Sequence, residues 1–250
     1  MPKLNLNDGL EKQQTAASHY GFSAVSLNKL TGTDQYTLVT IALDKSGSVS
    51  GFQDGINNVV ASVVEACRKS PRADNLLLRV VEFNHFFNEV HGFKLLTDCN
   101  AGDYNSTTMM SAGGTTALYD ASLNAIEALV KYGKDLVDQD YSVNGILIIV
   151  SDGEDNASSL TPKHVKAELD KVLKGESLES VLSILIGVNV SDSRIKAYLD
   201  GFKDDAGFSQ YVNLDDASPN KLARLANFVS KSISSQSQSL GGGISKTLTF

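Results

Sequence analysis

In the stretch Asp44-Lys45-Ser46-Gly47-Ser48, one carboxylate and two hydroxyls recur at every second residue. An all-oxygen set of this kind suits a hard divalent ion that keeps some of its water or takes a ligand from outside. The residues before it, Leu38-Val39-Thr40-Ile41-Ala42-Leu43, form a near-continuous apolar run rich in β-branched side chains. Such a run reads as a central strand buried on both faces. In an open parallel sheet, ligands bind in the crevice at the carboxyl ends of the strands, which is where these three oxygens fall. Asp and Ser are also favoured helix caps and Gly47 suits a tight turn, so taken alone the trio fits capping equally well.

Two further stretches bear on that choice. Gly113-Gly114-Thr115-Thr116-Ala117-Leu118-Tyr119-Asp120-Ala121 opens a helical pattern, and Gly145-Ile146-Leu147-Ile148-Ile149-Val150-Ser151-Asp152-Gly153-Glu154 is a second buried strand ending in an aspartate. With all three in this order, the chain resembles the von Willebrand factor A domain family over about residues 35–236. The metal-ion-dependent adhesion site of that family is D-x-S-x-S, then a Thr, then an Asp. The resemblance implies a metal set of Asp44, Ser46, Ser48, Thr116 and Asp152, with Thr115 as the alternative threonine. It favours Thr116, because the family's helix pattern aligns best from that residue onward. It further implies Mg²⁺ (or Mn²⁺ or Ca²⁺) as cofactor, and a protein partner that supplies an Asp or Glu carboxylate to the ion. Lys45 and Val49 vary within the motif without touching a ligand position.

Enzyme readings lack their required parts. A haloacid-dehalogenase-like phosphatase needs a second Asp two residues after the first, where this chain has Ser46. Gly47-Ser48-Val49-Ser50-Gly51 puts Val49 at the centre of what would be a serine-hydrolase elbow, and no Walker loop is present. His85 and His91 flank an aromatic run and read as surface or edge-strand histidines more readily than as ligands. The expectation is a non-catalytic metal-binding protein; an ion that only ties three loops together, or a metal-dependent phosphohydrolase, are the alternatives.

The elements that must position these residues follow from periodicity. Strands are expected over residues 35–43, 76–83, 145–150, 181–188 and 210–214, with an edge strand or hairpin before residue 96. Helices are expected from Phe52 to Cys67, over about 117–137, over 162–173 behind Thr161 and Pro162, around Ile195, Leu199 and Phe202, and from Pro219 to about Ile233. Alternating strands and helices imply an α/β fold, a Rossmann-like and mostly parallel sheet with one antiparallel edge strand and helices on both faces.

Residues 1–34 read as an N-terminal extension with a possible edge strand near Ala24, residues 35–236 as the domain, and residues 237–250 as a flexible tail. Within that tail, Ile244, Leu248 and Phe250 share one face of an extended segment. The 250 residues, 42% of them hydrophobic, suffice for one substantial core. A net charge of −7 with mixed signs excludes a basic nucleic-acid footprint. No run is long and apolar enough for a membrane helix, and the first residues lack a signal-peptide core. Cys67 in a helix and Cys99 in a polar loop read as free thiols, so the expected location is a reducing cytoplasm. Within the family, that resembles the intracellular branch, whose members serve as scaffolds in chelatase, tellurite-resistance, stress or phage-defence assemblies.

Overall fold

The structure is a computed structural model that describes residues 9–14, 21–174, 178–240 and 245–250. Its centre is one eight-stranded sheet. In chain order the strands are β1 (Leu10–Gln14), β2 (Gly21–Val25), β3 (Gln35–Asp44), β4 (Leu76–Phe83), β5 (Phe87–Leu95), β6 (Ser142–Ser151), β7 (Val181–Gly187) and β8 (Gln210–Asn213). The helices are α1 (Gln53–Arg68), α2 (Leu118–Val137), α3 (Pro162–Lys174), α4 (Ser193–Ala206) and α5 (Pro219–Gln238). The spatial order is β1-β2-β5-β4-β3-β6-β7-β8, with β4, β3, β6, β7 and β8 all parallel. β5 turns antiparallel to β4 through a tight hairpin.

The expected apolar runs became the central strands because both of their faces are covered. From β3, Val39, Ile41 and Leu43 enter the core under α1 and α5, joined by Ile146, Ile148 and Val150 of β6. The alternate residues Leu38, Ala42, Leu147 and Ile149 enter the second core, under α2, α3 and α4. The α1 positions Ile56, Val59, Val60, Val63, Val64 and Cys67 are all buried, as their three- and four-residue spacing requires.

The structure departs from the sequence-based expectations at both ends. The sheet does not begin at residue 35: β2 pairs parallel with β5, and β1 pairs antiparallel with β2. The expected single antiparallel edge strand is therefore covered by two more strands drawn from the supposed extension. Close packing makes this possible, since a Cβ at Gly92 of β5 would collide with the Ser23 carbonyl of β2. Residues 1–8 lie outside the described residues.

At the other end, α5 continues to Gln238 rather than stopping near Ile233. Its last turns are Ser- and Gln-rich, yet Ser232, Gln236 and Ser237 are buried, and Gln236 finds polar partners beneath it. Gln236 Nε2 donates to the Gly145 carbonyl at 3.1 Å and to Ser180 Oγ at 3.0 Å, and Asn144 Nδ2 donates to the Gln236 carbonyl at 2.5 Å. Residues 245–250 are also not a free tail. Leu248 and Phe250 pack against the α1/α5 core, Gln210 Nε2 donates to the Leu248 carbonyl at 2.8 Å, and the Arg224 guanidinium lies 4.9 Å above the Phe250 ring. Ile244 lies outside the described residues. Deleting residues 245–250 is expected to lower stability by about 1–2 kcal/mol, the value of two half-buried apolar side chains, while leaving cation affinity unchanged. Urea denaturation and calorimetry on the truncated chain check both parts.

Candidate metal site

Asp44 is the last residue of β3, and its fully buried carboxylate is fixed from two sides. Ser46 N–H donates to Oδ1 at 2.8 Å, and Ser151 Oγ donates to Oδ2 at 2.6 Å. The chain then enters a short 3₁₀ turn, Gly47–Gly51, which places Ser46 Oγ and Ser48 Oγ 3.0 Å apart. Ser48 Oγ donates to Asp152 Oδ1 at 2.8 Å, across from the end of β6. Asp44, Ser46, Ser48 and Asp152 are thus brought together as one oxygen cluster at the carboxyl edge of the sheet.

The third loop is fastened to the first by backbone bonds. Gly47 N–H donates to the Gly114 carbonyl at 3.0 Å, and Gly113 N–H donates to the Lys45 carbonyl at 2.8 Å. Gly114 has a φ of +78°, and a Cβ there would also collide with the His85 ring, so glycine is required on both counts. This loop delivers Thr116, buried at 4% exposure, whereas Thr115 is exposed. The Thr116 backbone is clamped by Asn156, whose Oδ1 accepts from Thr116 N–H at 2.8 Å and whose N–H donates to the Thr116 carbonyl at 2.9 Å.

Burial sets the electrostatics. The Asp44 carboxyl is pushed up to about 6, chiefly by loss of water, with neighbouring Asp152 adding repulsion. Burial also raises the Asp152 carboxyl above the usual carboxylate range. Among the described residues, no Lys, Arg or His makes a salt bridge with either one. Lys45, which lies between two of the oxygen-bearing residues in sequence, turns inward instead. Its Nζ donates to Asn57 Oδ1 at 2.5 Å and lies 3.4 Å from Glu82 Oε1, both side chains of the ion pair being wholly buried. Two carboxylates converge here without a counter-charge, beside hydroxyls that carry free lone pairs. That set fits a hard cation held partly by neutral oxygens. Among the described residues, three or more His, Cys, Asp or Glu side chains nowhere gather in a metal-binding group, so hydroxyls would have to complete the shell.

Several residues that shape the site are not visible as a motif. Ser151, Asn156, Asn84 and Glu82 all act from loops or strands distant in sequence. Ser151 directly before Asp152 is the one signal that local reading offers, since a hydroxyl there faces the same strand end. Among the described residues, neither His85 nor His91 falls in a metal-binding group. His91 is buried, with Nε2 2.8 Å from Tyr104 Oη, and burial pushes its ring down to about 3. His85 lies at the surface against Gly114. Cys99 is buried rather than loop-exposed, and both cysteines are free.

No protein-family model matches the chain, and no curated protein matches it. Solved structures do. The D319A mutant of the PilB minor pilin from Streptococcus sanguinis aligns with a TM-score of 0.58 at 13% identity, covering 84% of this chain and 64% of that one. The pilus adhesin SpaC from Lactobacillus rhamnosus GG, in its open conformation, aligns at 0.57 and 11%, covering 80% and 30%. Proximal thread matrix protein 1 from the mussel byssus, with a zinc-occupied MIDAS motif, aligns at 0.50 and 20%, covering 79% and 45%. The fold is von Willebrand factor A-like. This chain spans less than two thirds of the length of each of these proteins. Among the described residues, no helix is long and apolar enough to cross a membrane.

Proposed function

We propose that the cluster binds one divalent cation and that the chain uses it to dock a carboxylate of a partner protein, without catalysing a reaction. The observation that carries this reading is the convergence of Asp44 and Asp152, buried and in no salt bridge among the described residues, on the paired hydroxyls of Ser46 and Ser48. Ser46, Ser48 and Thr116 would offer neutral oxygens, while Asp44 and Asp152 would supply charge directly or through water. Mg²⁺ is the preferred ion for such oxygens, with Mn²⁺ and Ca²⁺ as alternatives. When bound, the ion supplies residual positive charge and an exchangeable position, which suits an incoming Asp or Glu. The zinc-occupied motif of the mussel protein and the adhesive role named for SpaC support the assignment.

The loops themselves favour docking over a purely structural ion. Gly47–Gly114, Gly113–Lys45 and Thr116–Asn156 hydrogen bonds already tie the three together through protein atoms. The buried free thiols support a reducing compartment, so we place the protein in the cytoplasm as an adaptor within a larger assembly, of the kind found in stress or phage-defence clusters.

Titration of the chelated protein with Mg²⁺ by calorimetry tests the ion. A pull-down from native extract with and without EDTA tests the partner. Asp152→Ala is expected to abolish metal-dependent capture while the domain still unfolds cooperatively. A capture list unaffected by EDTA, or a large loss of thermal stability in Asp152→Ala alone, would point to a structural ion instead.

The raised Asp44 carboxyl adds a pH dependence. In the cation-free protein the folded chain holds this proton more tightly than the unfolded chain, so the group's contribution to stability falls as pH rises from 3.8 through about 6. A cation must displace the same proton at low pH. Affinity for Mg²⁺ is therefore expected to weaken about tenfold from pH 7 to pH 5, and the thermal shift on adding Mg²⁺ to shrink in parallel. Flat affinity across that range would contradict the placement of Asp44 next to the ion.

A further inference from the structure

Phe86 is 68% exposed, the one large hydrophobic side chain so exposed among the described residues. A single exposed aromatic residue is ordinary on a protein surface. What distinguishes this one is its mounting. It sits in the β4–β5 turn, and that turn is bolted to the loop that carries Thr116. Asn84, itself buried, makes the joint: its Oδ1 accepts from Phe86 N–H at 2.7 Å and its N–H donates to the Phe86 carbonyl at 2.9 Å. The same side chain donates from Nδ2 to the Gly113 carbonyl at 2.7 Å, and the Asn84 carbonyl accepts from Ala117 N–H at 2.9 Å. His85 fills the space over Gly114 and lies against the Phe86 ring, centroids 4.0 Å apart. Gly114 and Ala117 flank the two threonines, Gly113 lies one residue further out, and Gly114 holds Gly47 between Ser46 and Ser48.

We propose that Phe86, backed by His85, is the apolar anchor point of the docking surface around the cation. The occupant is a partner protein segment in which the metal-seeking Asp or Glu is accompanied, within a few residues, by a large apolar or aromatic side chain. This rests on the cation-and-carboxylate reading above and adds the second half of the recognition chemistry. A carboxylate alone is a poor discriminator, because every protein surface carries many. An aromatic residue whose backbone is pinned to the loop that carries Thr116 discriminates among them, and its anchored main chain spares part of the ordering entropy that a mobile loop would lose on docking. Aromatic anchors in desolvated contacts carry a large share of interface energy.

The test uses the full-length chain and a phage-displayed peptide library with one fixed central Asp and randomised flanks, selected in Mg²⁺ and eluted with EDTA. The wild-type protein is expected to enrich Phe, Tyr, Trp, Leu or Met at a fixed offset from the Asp. Phe86→Ser is expected to keep its Mg²⁺ affinity and the requirement for Asp, to lose that apolar preference, and to bind the best wild-type peptide about tenfold or more weakly. Enrichment of acid without an apolar partner in the wild type, or an unchanged preference in Phe86→Ser, overturns the proposal while leaving the cation reading intact. Peptides that bind equally well without Mg²⁺ or without the Asp overturn the cation reading, and this proposal with it.

Discussion

A chain carrying both Ser46→Ala and Ser48→Ala is expected to bind Mg²⁺ at least about 100-fold more weakly than the wild type, since loss of even an outer-shell partner commonly costs 10–100-fold in metal affinity. Both hydroxyls sit 3.0 Å from each other, and Ser48 Oγ also hydrogen-bonds Asp152. Removing them takes away both neutral oxygens of the first loop, leaving two buried carboxylates and Thr116 to hold the ion. The fold should survive, because Ser46 N–H still donates to Asp44 and the Gly47–Gly114 bond is unaffected. Calorimetric titration of the double variant, with a urea melt as the folding control, reads both outcomes. Wild-type affinity in a folded variant would remove the serines from the site.

Glu82→Ala is expected to destabilise the domain by about 3–5 kcal/mol, the usual cost of breaking a buried ion pair from one side. Glu82 and Lys45 are both fully buried, and Glu82 also accepts from Met110 N–H at 2.9 Å and Asn88 Nδ2 at 3.1 Å. Without Glu82, the Lys45 ammonium keeps Asn57 as a hydrogen-bond partner and the charge of Asp54, in a place where burial already disfavours its own charge. Adding Lys45→Met to Glu82→Ala should restore much of the loss, because it removes the uncompensated cation. Because Lys45 lies between Asp44 and Ser46, the single variant should also lose cation affinity. Urea midpoints for the single and double variants decide the matter; a single-variant loss under about 1 kcal/mol would show the pair to be energetically idle.

The parts of this molecule that could be read in advance are those encoded over short distances. Strands β3 and β6 announce themselves because burial on both faces demands unbroken apolar runs, and D-x-S-x-S packs three oxygens into five residues. That Asp44 and Asp152 belong to one site came from the family resemblance; in the structure Ser48 Oγ donates to Asp152 Oδ1 and Ser151 Oγ donates to Asp44 Oδ2. Asn84, Asn156 and Glu82 are common residue types whose roles arise only when distant loops meet, so no local pattern marks them. Strand β1, Leu10–Gln14, is polar and mostly exposed, and becomes a strand only because β2 offers it an edge. The buried end of α5 fooled composition for a different reason. Its serines and Gln236 read as linker chemistry, yet the Gly145 carbonyl and the Ser180 hydroxyl accept from Gln236 what a linker would give to water.

The proposed function requires an ion at the carboxyl edge of the sheet with a position left open for a ligand from outside. A crystal of the protein grown with Mn²⁺, examined by anomalous diffraction, addresses it most directly. The account predicts one anomalous peak bonded to the hydroxyls of Ser46 and Ser48, adjacent to Asp44, Thr116 and Asp152, with at least one coordination position filled by water or a solvent carboxylate. No peak there at saturating Mn²⁺, or a shell closed entirely by atoms of this chain, would contradict it.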